Sequence, residues 1–246
     1  MPNLTDHIVK SFDDQLKQLG TILVQMGTMV ESQLQQAIEA LISHNLKQAA
    51  QIVDQDHQID VLDQNVSQLA VKILALRQPM AQDLREVVSS LKISSDLERM
   101  GDYAANVAKR IPALPEIITN KQIISGLSRM GKAVQQIVKN VLDSYINKNT
   151  DRALQAWRQD EEVDALYTSI FRELLTYMME DIRTIGGCIH LLFIAKNIER
   201  IGDHATNIAE TVYFMVHGSH IQGERPKSDH TISNAYSNPT TKEKLT

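Results

Sequence analysis

The sequence predicts an all-α protein made of two pseudo-symmetric three-helix bundles, six long helices in total, that arose by internal duplication. The first observation is composition: 43% of the 246 residues are hydrophobic and only 4% are aromatic, with ten glycines and six prolines. Such a composition favours helices. The second is that apolar residues recur three and four positions apart over long stretches. The third is an eleven-residue segment that occurs twice, which indicates a duplication.

The repeated segment carries carboxylates at helical spacing. Its copies are Glu98-Arg-Met-Gly-Asp102-Tyr-Ala-Ala-Asn106-Val-Ala108 and Glu199-Arg-Ile-Gly-Asp203-His-Ala-Thr-Asn207-Ile-Ala209, which lie 101 residues apart and share seven identical positions. Residues four apart share one face of a helix. Each copy therefore forms a polar stripe, and these stripes are Glu98, Asp102 and Asn106 in the first copy and Glu199, Asp203 and Asn207 in the second.

Two features of this segment are unfavourable in an isolated helix. Carboxylates at this spacing repel each other by about 0.2–0.5 kcal/mol. A glycine between them, Gly101 or Gly202, costs roughly 1 kcal/mol relative to alanine. Both copies keep both features. We infer that a cation held by the carboxylates would offset the first cost, and that close approach of another group over the missing Cβ would explain the second.

Three helices are predicted in the first half, at about residues 8–43, 46–76 and 81–110. The His44-Asn45 break is short, so the second helix should fold back antiparallel to the first. Pro79 ends the second helix. The predicted core residues of this half include Leu19, Leu23, Met26, Val30, Leu34, Ile52, Ile59, Val66, Ile73 and Leu76.

The second half repeats this plan, with helices predicted at about residues 116–146, 152–181 and 188–216. The first break spans Asn147–Asp151 and the second spans Thr184–Gly187. The predicted core residues of this half include Leu154, Trp157, Val163, Ile170 and Leu174. The predicted domains are residues 5–113 and 114–217, followed by a disordered polar tail at residues 218–246, where no periodicity survives.

The middle predicted helix of each half also carries acids four apart, Asp56 and Asp60 in the first half and Asp160 and Asp164 in the second. In an antiparallel pair, residues equidistant from the turn lie at one level. The two motifs of the first half are centred on residues 58 and 100, and their midpoint is Pro79, inside the turn. The second half's midpoint falls two or three residues before the predicted break. We therefore predict that two carboxylate pairs meet at one height in each half.

Four carboxylates without an interleaved thiolate or a histidine cluster suit hard cations with oxygen ligands. The predicted cofactor is a divalent or multinuclear metal, and the spacing does not choose among iron, manganese, magnesium, calcium and zinc. Asn106 and Asn207 are candidates for a further ligand, for a donor behind the ligands, or for polar packing. The predicted metal residues are Asp56, Asp60, Glu98, Asp102, Asn106, Asp160, Asp164, Glu199, Asp203 and Asn207.

A competing interpretation is that the acids are solvated on outer helix faces and paired with Arg99 or Arg200. Each arginine is one residue from an acid, about 100° around the helix, so we do not expect it to face the stripe. The duplicated arrangement favours the metal site over this interpretation.

Several classes of protein are disfavoured. The formal net charge of −5 argues against nucleic acid or an anionic membrane as the main partner. The single cysteine, Cys188, excludes an internal disulfide or a multi-thiolate metal site and is expected to be a small core residue. The N-terminus lacks a signal-peptide core, and the most apolar stretch, residues 188–195, is far shorter than the roughly 20 residues that span a bilayer. We therefore expect a cytoplasmic protein.

Catalytic motifs are also missing from the sequence. It contains no P-loop, no G-x-G-x-x-G, no H-E-x-x-H and no serine nucleophile elbow. No glutamate is followed three residues later by histidine, so the Glu-x-x-His of ferritin-like di-iron bundles is missing. We predict no catalytic residues, no organic-cofactor site and no enzyme activity.

The doubled Glu-Arg-(Met/Ile)-Gly-Asp-(Tyr/His)-Ala-x-Asn segment resembles the signature of the PhoU family, the accessory regulators of bacterial phosphate uptake. Residues 72–85 and 175–183 support the resemblance, which covers about residues 5–217. The resemblance implies two three-helix bundles with surface metal sites on E/D-x-x-x-D motifs, which contain multinuclear iron in some members. Those motifs fall on the four acid pairs described above.

The resemblance also implies a function and partners. The family acts as a negative regulator that couples the phosphate ABC transporter, through its ATPase subunit, to a sensor histidine kinase, and members often form homodimers. Phosphate-starvation genes then stay off when phosphate is plentiful. In this chain His204 stands where the first copy has Tyr103, and Asn197 stands where it has Asp96. The two metal sites could therefore differ in content or occupancy.

Two other functions stay open from the residues alone. A carboxylate-bridged metalloenzyme, either a phosphohydrolase or an oxygen-activating di-iron bundle, could use the same acids to position a metal-bound water. The missing Glu-x-x-His argues against it. A purely structural helical scaffold would leave the acids solvated and bind no metal.

Overall fold

The computed structural model describes residues 4–115 and 121–223, leaving aside the side chains of residues 4–11 and 121. Seven α-helices make up nearly all of this part, and no strand occurs in it. These helices are α1 (Leu4–Ser43), α2 (Leu46–Gln55), α3 (His57–Arg77), α4 (Ala81–Arg110), α5 (Lys121–Asn147), α6 (Thr150–Glu180) and α7 (Ile185–His217). The predicted all-α fold of two pseudo-symmetric three-helix bundles is confirmed, with α2 and α3 together forming the middle helix of the first half.

The first turn of each half is built in the same way. His44 follows α1 with φ 49°, and Lys148 follows α5 with φ 50°. The next residue, Asn45 or Asn149, caps the following helix by accepting a hydrogen bond from a backbone N–H three residues on, at 3.1 and 3.0 Å. An asparagine at this position satisfies one of the free N–H groups of a helix start. The two turns are 104 residues apart, so the duplication includes the backbone of the turn.

The second predicted helix differs from the structure. The sequence predicts one helix over residues 46–76, whereas α2 ends at Gln55 and α3 begins at His57. At the intervening Asp56 the backbone tightens, because its carbonyl accepts a hydrogen bond from the N–H of Ile59 at 3.0 Å. α6 runs without interruption through the equivalent Asp160. The interruption therefore falls on a predicted metal-site residue in the first half only.

The break before α7 also lies elsewhere than predicted. The sequence predicts it at Thr184–Gly187, but α6 ends at Glu180, and Gly186 and Gly187 lie inside α7. Asp181 is extended, at φ −143° and ψ 109°, and its carboxylate accepts a hydrogen bond from the N–H of Arg183 at 2.9 Å. The side-chain capping by Asp181 ends α6 before the glycines are reached.

One apolar core runs through both halves. It includes nearly all of the predicted core residues, and Cys188 is buried in it as predicted. Leu154 is only partly buried. Leu76 was predicted to be in the core but is 65% exposed, because it lies one residue from the end of α3. No described helix is both long enough and apolar enough to cross a membrane.

The two halves pack through two helix pairs, α4 with α7 and α1 with α5. Between α1 and α5, Leu142 lies against Gly27, and Ile38 lies against Gly131. Each of these glycines and each of these large residues is 104 positions from its counterpart. The contact is therefore the same when the halves are exchanged, as a pseudo-twofold axis requires. The domain limits at residues 113 and 114 stay a prediction, and the tail from residue 224 onward lies outside the described residues.

The α4–α7 contact is antiparallel and contains the repeated segment. Along α4 towards its C-terminus, Asp96 contacts Asn207, Tyr103 contacts Arg200, and Arg110 contacts Phe193. The residue numbers fall along α7 as they rise along α4. The two signature glycines therefore lie near the pseudo-twofold axis, and the two acidic stripes point away from each other toward their own halves.

Candidate functional site

The acids of the first half do come together. The first acidic cluster consists of Asp56, Asp60 and Asp63, on or before α3, with Glu98 and Asp102 on α4. Burial raises the pKa of Asp56 above its usual value, and the nearby Asp102 and Asp60 raise it further. Lys109 and the Gln33 amide act in the opposite direction. Asp56 Oδ1 also lies over Gly101, the residue between Glu98 and Asp102, so the two acid pairs of this half meet, as predicted.

Glu98 shows the same effect. Its pKa is raised by burial first, then by Asp102, with smaller contributions from Asp60 and Asp63, against the lowering effect of Arg99. The sequence analysis missed Asp63, whose Oδ1 accepts a hydrogen bond from Ser94 Oγ on α4 at 2.6 Å. The signal was present, because Asp63 is three residues after Asp60 and so shares its helix face.

The second acidic cluster consists of Asp160 and Asp164 on α6 with Glu199 and Asp203 on α7. Here three acids are almost fully buried: Asp160 is 1% exposed, Asp164 is 3% exposed and Glu199 is 4% exposed. Burial raises the pKa of Glu199, and Asp203 and Asp164 raise it further. The two acid pairs of this half therefore also meet, as predicted.

Lys196 lies at the edge of the second cluster and partly neutralises it. Its Nζ donates to Glu199 Oε1 at 2.7 Å and lies 4.9 Å from the ring centroid of Tyr167. This ion pair lowers the pKa of Glu199 against the effect of burial. The other oxygen, Glu199 Oε2, is buried and accepts no hydrogen bond from the described residues. A buried carboxylate oxygen without a hydrogen-bond donor destabilises the folded protein, and a bound cation would offset that loss.

The two signature glycines explain how close the helices approach. A Cβ on Gly202 would lie 3.0 Å from Asp160 Oδ1. A Cβ on Gly101 would lie 3.5 Å from Asp56 Oδ1 and 2.8 Å from Ile59 Cδ1. In each half the first acid of the middle helix thus lies over the glycine between the two acids of the signature. The predicted close approach over the missing Cβ is confirmed, and the glycine is what permits it.

One prediction about the arginines is wrong. Arg99 was expected to face away from the stripe, but its Nε lies 3.5 Å from Glu98 and its guanidinium also lies 3.3 Å from Asp102. A long side chain can bend back along the helix to the residue three positions on. Arg200 behaves differently, since it donates to the hydroxyl of Tyr103 across the α4–α7 contact at 3.3 Å.

The two asparagines lie between α4 and α7, at the border of the clusters. Asn207 Nδ2 donates to Asp96 Oδ1 at 3.4 Å, and that carboxylate also binds His204 Nδ1 at 2.8 Å. Asn106 Oδ1 accepts a hydrogen bond from Lys109 at 3.5 Å. The two contacts to Asp96 connect the halves, whereas the contact between Asn106 and Lys109 lies within α4. Both asparagines thus take part in polar packing, and a role as metal ligands stays a prediction.

Carboxylate oxygens are suitable ligands for a hard cation, but the acids of each cluster are not yet arranged around a common point. Within residues 4–115 and 121–223, no three side chains among His, Cys, Asp and Glu converge closely enough to hold a metal ion as they stand. Each cluster nevertheless provides several carboxylates from two helices, some with raised pKa values. Cations such as Mg²⁺ bind through one or two carboxylates and keep several waters. The residues present therefore fit such an ion chemically.

A model of the PhoU domain matches the chain twice, at residues 23–111 and at residues 127–212. The chain belongs to the PhoU family. One matched segment falls in each half, and each contains one acidic cluster. The family expected from the doubled signature is confirmed.

Relatives and solved structures agree with this assignment. A protein from Xylella fastidiosa is 50% identical over 92% of this chain and 94% of its own length. One from Zymomonas mobilis is 49% identical over 86% of this chain and 89% of its own length. Both are named phosphate-specific transport system accessory protein PhoU homolog. The crystal structure of PhoU from Pseudomonas aeruginosa superposes with a TM-score of 0.81 at 39% identity and covers 85% of this chain and 100% of that chain.

Proposed function

We propose that this protein regulates phosphate uptake and keeps the phosphate-starvation response off when phosphate is plentiful. It does so without enzyme activity, by coupling the ATPase subunit of a phosphate ABC transporter to a sensor histidine kinase in the cytoplasm. The main support is full-length similarity: relatives covered over 89% and 94% of their own length are named as accessory proteins of the phosphate-specific transport system. A PhoU structure from Streptococcus pneumoniae, at 28% identity and a TM-score of 0.80, is described as a phosphate transport system regulatory protein.

Each acidic cluster would hold a divalent or multinuclear metal as part of this role. In the first cluster the ligands would be Asp56, Asp60, Glu98 and Asp102; in the second they would be Asp160, Asp164, Glu199 and Asp203. The raised pKa values of Asp56, Glu98 and Glu199 support this, since burial first and neighbouring carboxylates second disfavour their charged forms, and a bound cation would favour them. The buried Glu199 Oε2 without a hydrogen bond also supports it. When bound, the metal would supply positive charge that joins the two helices.

The partners follow from the same family relationship. A histidine kinase and a transporter ATPase are both protein partners, so the protein would act through surface contacts rather than through a deep substrate pocket. We further propose that it works as a homodimer, as family members often do.

A reporter experiment tests the proposal. In a bacterium that lacks its own PhoU-family protein, the chain should repress a phosphate-starvation promoter at high phosphate. The Glu98→Gln/Asp102→Asn variant should lose metal by elemental analysis and should raise promoter output. Glu162→Gln provides the matched control, because Glu162 is an exposed acid on α6 outside both clusters. Repression and metal content both unchanged in the double variant would refute the proposal.

A further inference from the structure

A basic pocket lies between the C-terminal part of α4 and the N-terminal part of α7. Its volume is about 510 Å³, which is within the range of pockets that take small molecules. The polar side chains that line it are Asn106, Lys109 and Arg110 from α4 and His190, Lys196, Asn197 and Arg200 from α7. No acid is among the residues that line it. Four cations around one cavity are unexpected in a chain with a net charge of −5.

Two of these cations, Arg110 and Arg200, form no ion pair with an acid among the described residues. Lys109 forms no direct ion pair there either, although it lies near enough to Asp56 to lower the pKa of that carboxyl. Aromatic rings hold the two guanidinium groups instead: Arg110 lies 4.1 Å from the centroid of Phe193, and Arg200 lies 5.5 Å from that of Tyr103. Stacking fixes the orientation of a guanidinium group while leaving its charge available for an anion.

The fold itself does not require this positive charge, because the duplication contains a second copy of the pocket. This second pocket, about 360 Å³, lies at the equivalent place on the other side of the α4–α7 contact, and we call it the acidic pocket because Asp96 and Glu210 line it, together with one lysine, Lys92. Positions 101 residues apart line the two pockets. The pairs are Lys109 and Glu210, Arg110 and Thr211, Lys196 and Ser95, and Asn197 and Asp96.

The acids of the acidic pocket are used within the protein. Glu210 Oε1 accepts a hydrogen bond from Trp157 Nε1 at 2.9 Å. Asp96 binds His204 at 2.8 Å. The two pockets thus occupy equivalent places in the fold. The acids of the acidic pocket are bound by other side chains of the protein, whereas the cations of the basic pocket line an open cavity. The charge of the basic pocket is therefore a property of its side chains, and it calls for a ligand of opposite charge.

We propose that the basic pocket binds the phosphate group of a small anion, either inorganic phosphate or a phosphorylated nucleotide. Guanidinium groups bind phosphate oxygens through paired N–H donors, and a lysine adds a point charge. Asn106 and Asn197 also line the pocket; Asn197 Nδ2 already donates one hydrogen bond to the carbonyl of Phe193 at 2.8 Å, but an amide nitrogen carries a second N–H. That this binding would report phosphate to the kinase rests on the proposed function, whereas the binding itself does not.

Calorimetric titration of the full chain with inorganic phosphate, and separately with ATP, tests this proposal. The titrations are run with chelator present, so that metal at the acidic clusters cannot serve as the phosphate acceptor. The wild type should bind at least one of the two ligands. The Lys109→Glu/Arg110→Thr variant, which introduces the residues of the acidic pocket, should weaken that binding at least tenfold. Lys92→Gln, in the acidic pocket, is the matched control and should bind as the wild type does.

The two ligands distinguish the source of the phosphate group. Tighter binding of inorganic phosphate identifies the free ion, and tighter binding of ATP identifies a nucleotide; both support the proposal if the double variant loses the binding. Arg200→Gln, which leaves α4 unchanged, should also weaken the binding of the ligand. This second variant keeps the test valid if the double variant fails to fold. No binding of either ligand to the wild type, or undiminished binding to a folded double variant, would overturn the proposal. The promoter experiment with the Glu98→Gln/Asp102→Asn variant is independent of these outcomes.

Discussion

The two acidic clusters lie on equivalent helices but stabilise their negative charge in different ways. In the first cluster the acids are half-buried or exposed, and Asp60 faces water. In the second, three acids are less than 5% exposed, and Lys196 forms an ion pair with Glu199. Water therefore solvates the carboxylates of the first cluster, whereas a lysine side chain compensates part of the charge of the second. The second cluster therefore depends more strongly on each of its contacts.

Two substitutions between the halves account for this difference. Tyr167 stands at the position equivalent to Asp63, so the second cluster has one acid fewer. Lys196 stands at the position equivalent to Ser95, and it reaches both Glu199 and the face of Tyr167. The removed acid and the added cation change the local charge in the same direction. This compensates for the deeper burial of the acids, since a buried carboxylate needs a partner.

The largest expected effect comes from removing the cation of each cluster. In chelator, Lys196→Met should lower the free energy of unfolding by about 2 kcal/mol, because the buried Glu199 carboxylate loses its charged donor. Arg99→Met should change it by no more than about 0.5 kcal/mol, since that arginine is mostly exposed and its ion pairs are screened. Urea denaturation followed by circular dichroism measures both. Equal losses would show that the clusters do not differ in this respect.

An intermediate effect is expected at the signature glycines. Alanine gains about 1 kcal/mol of helix propensity over glycine. In Gly101→Ala the new methyl meets the flexible end of Ile59 at 2.8 Å, which can move, so stability should stay nearly unchanged. In Gly202→Ala it lies 3.0 Å from the carboxylate of buried Asp160, so we expect a net loss of about 1 kcal/mol from overpacking.

Melting temperatures of the two alanine variants provide the comparison. The decisive quantity is the difference between them, because the gain in helix propensity is common to both. If Gly202→Ala were as stable as Gly101→Ala, then Asp160 would not be held in place by its surroundings.

The sequence was sufficient for the fold and for the meeting of the acids. Long apolar stripes, the short turn after Ser43 and the duplicated segment determined the helices, and the position of Pro79 determined which acids share a level. Lys196 could also have been found, since it precedes Glu199 by three residues on one helix face. These features depend on local spacing, which a sequence displays directly.

Other features depend on tertiary contacts and could not be predicted in this way. No glycine or proline marks the interruption at Asp56. The bend of Arg99 toward Asp102 is a choice among side-chain rotamers. The basic pocket combines residues from α4 and α7 whose register becomes visible only when the two helices are packed together, as Arg110 over Phe193 shows.

The smallest expected effect is a dependence of stability on pH in the metal-free protein. Burial and the neighbouring Asp102 raise the pKa of Glu98 above 4.5. A group with a raised pKa in the folded state contributes stability that is fully present below its unfolded pKa and is lost as the pH rises through the folded pKa. Glu98→Gln removes this loss. The metal-free variant should therefore be more stable than the wild type at pH 7, by about 0.5 kcal/mol, and the difference should vanish toward pH 4.

Glu199→Gln is the matched variant in the second cluster, and it should behave differently. Burial raises the pKa of Glu199 as well, but the carboxylate is also the acceptor for Lys196 at 2.7 Å. Removing its charge relieves repulsion and breaks that ion pair at the same time, so no gain is expected at pH 7. Unfolding curves at several pH values in chelator test both variants. Added Mg²⁺ or Mn²⁺ should reverse the order at the first cluster, because the wild type keeps a ligand that Glu98→Gln lacks. A Glu98→Gln variant that stays more stable with metal present would exclude Glu98 as a ligand.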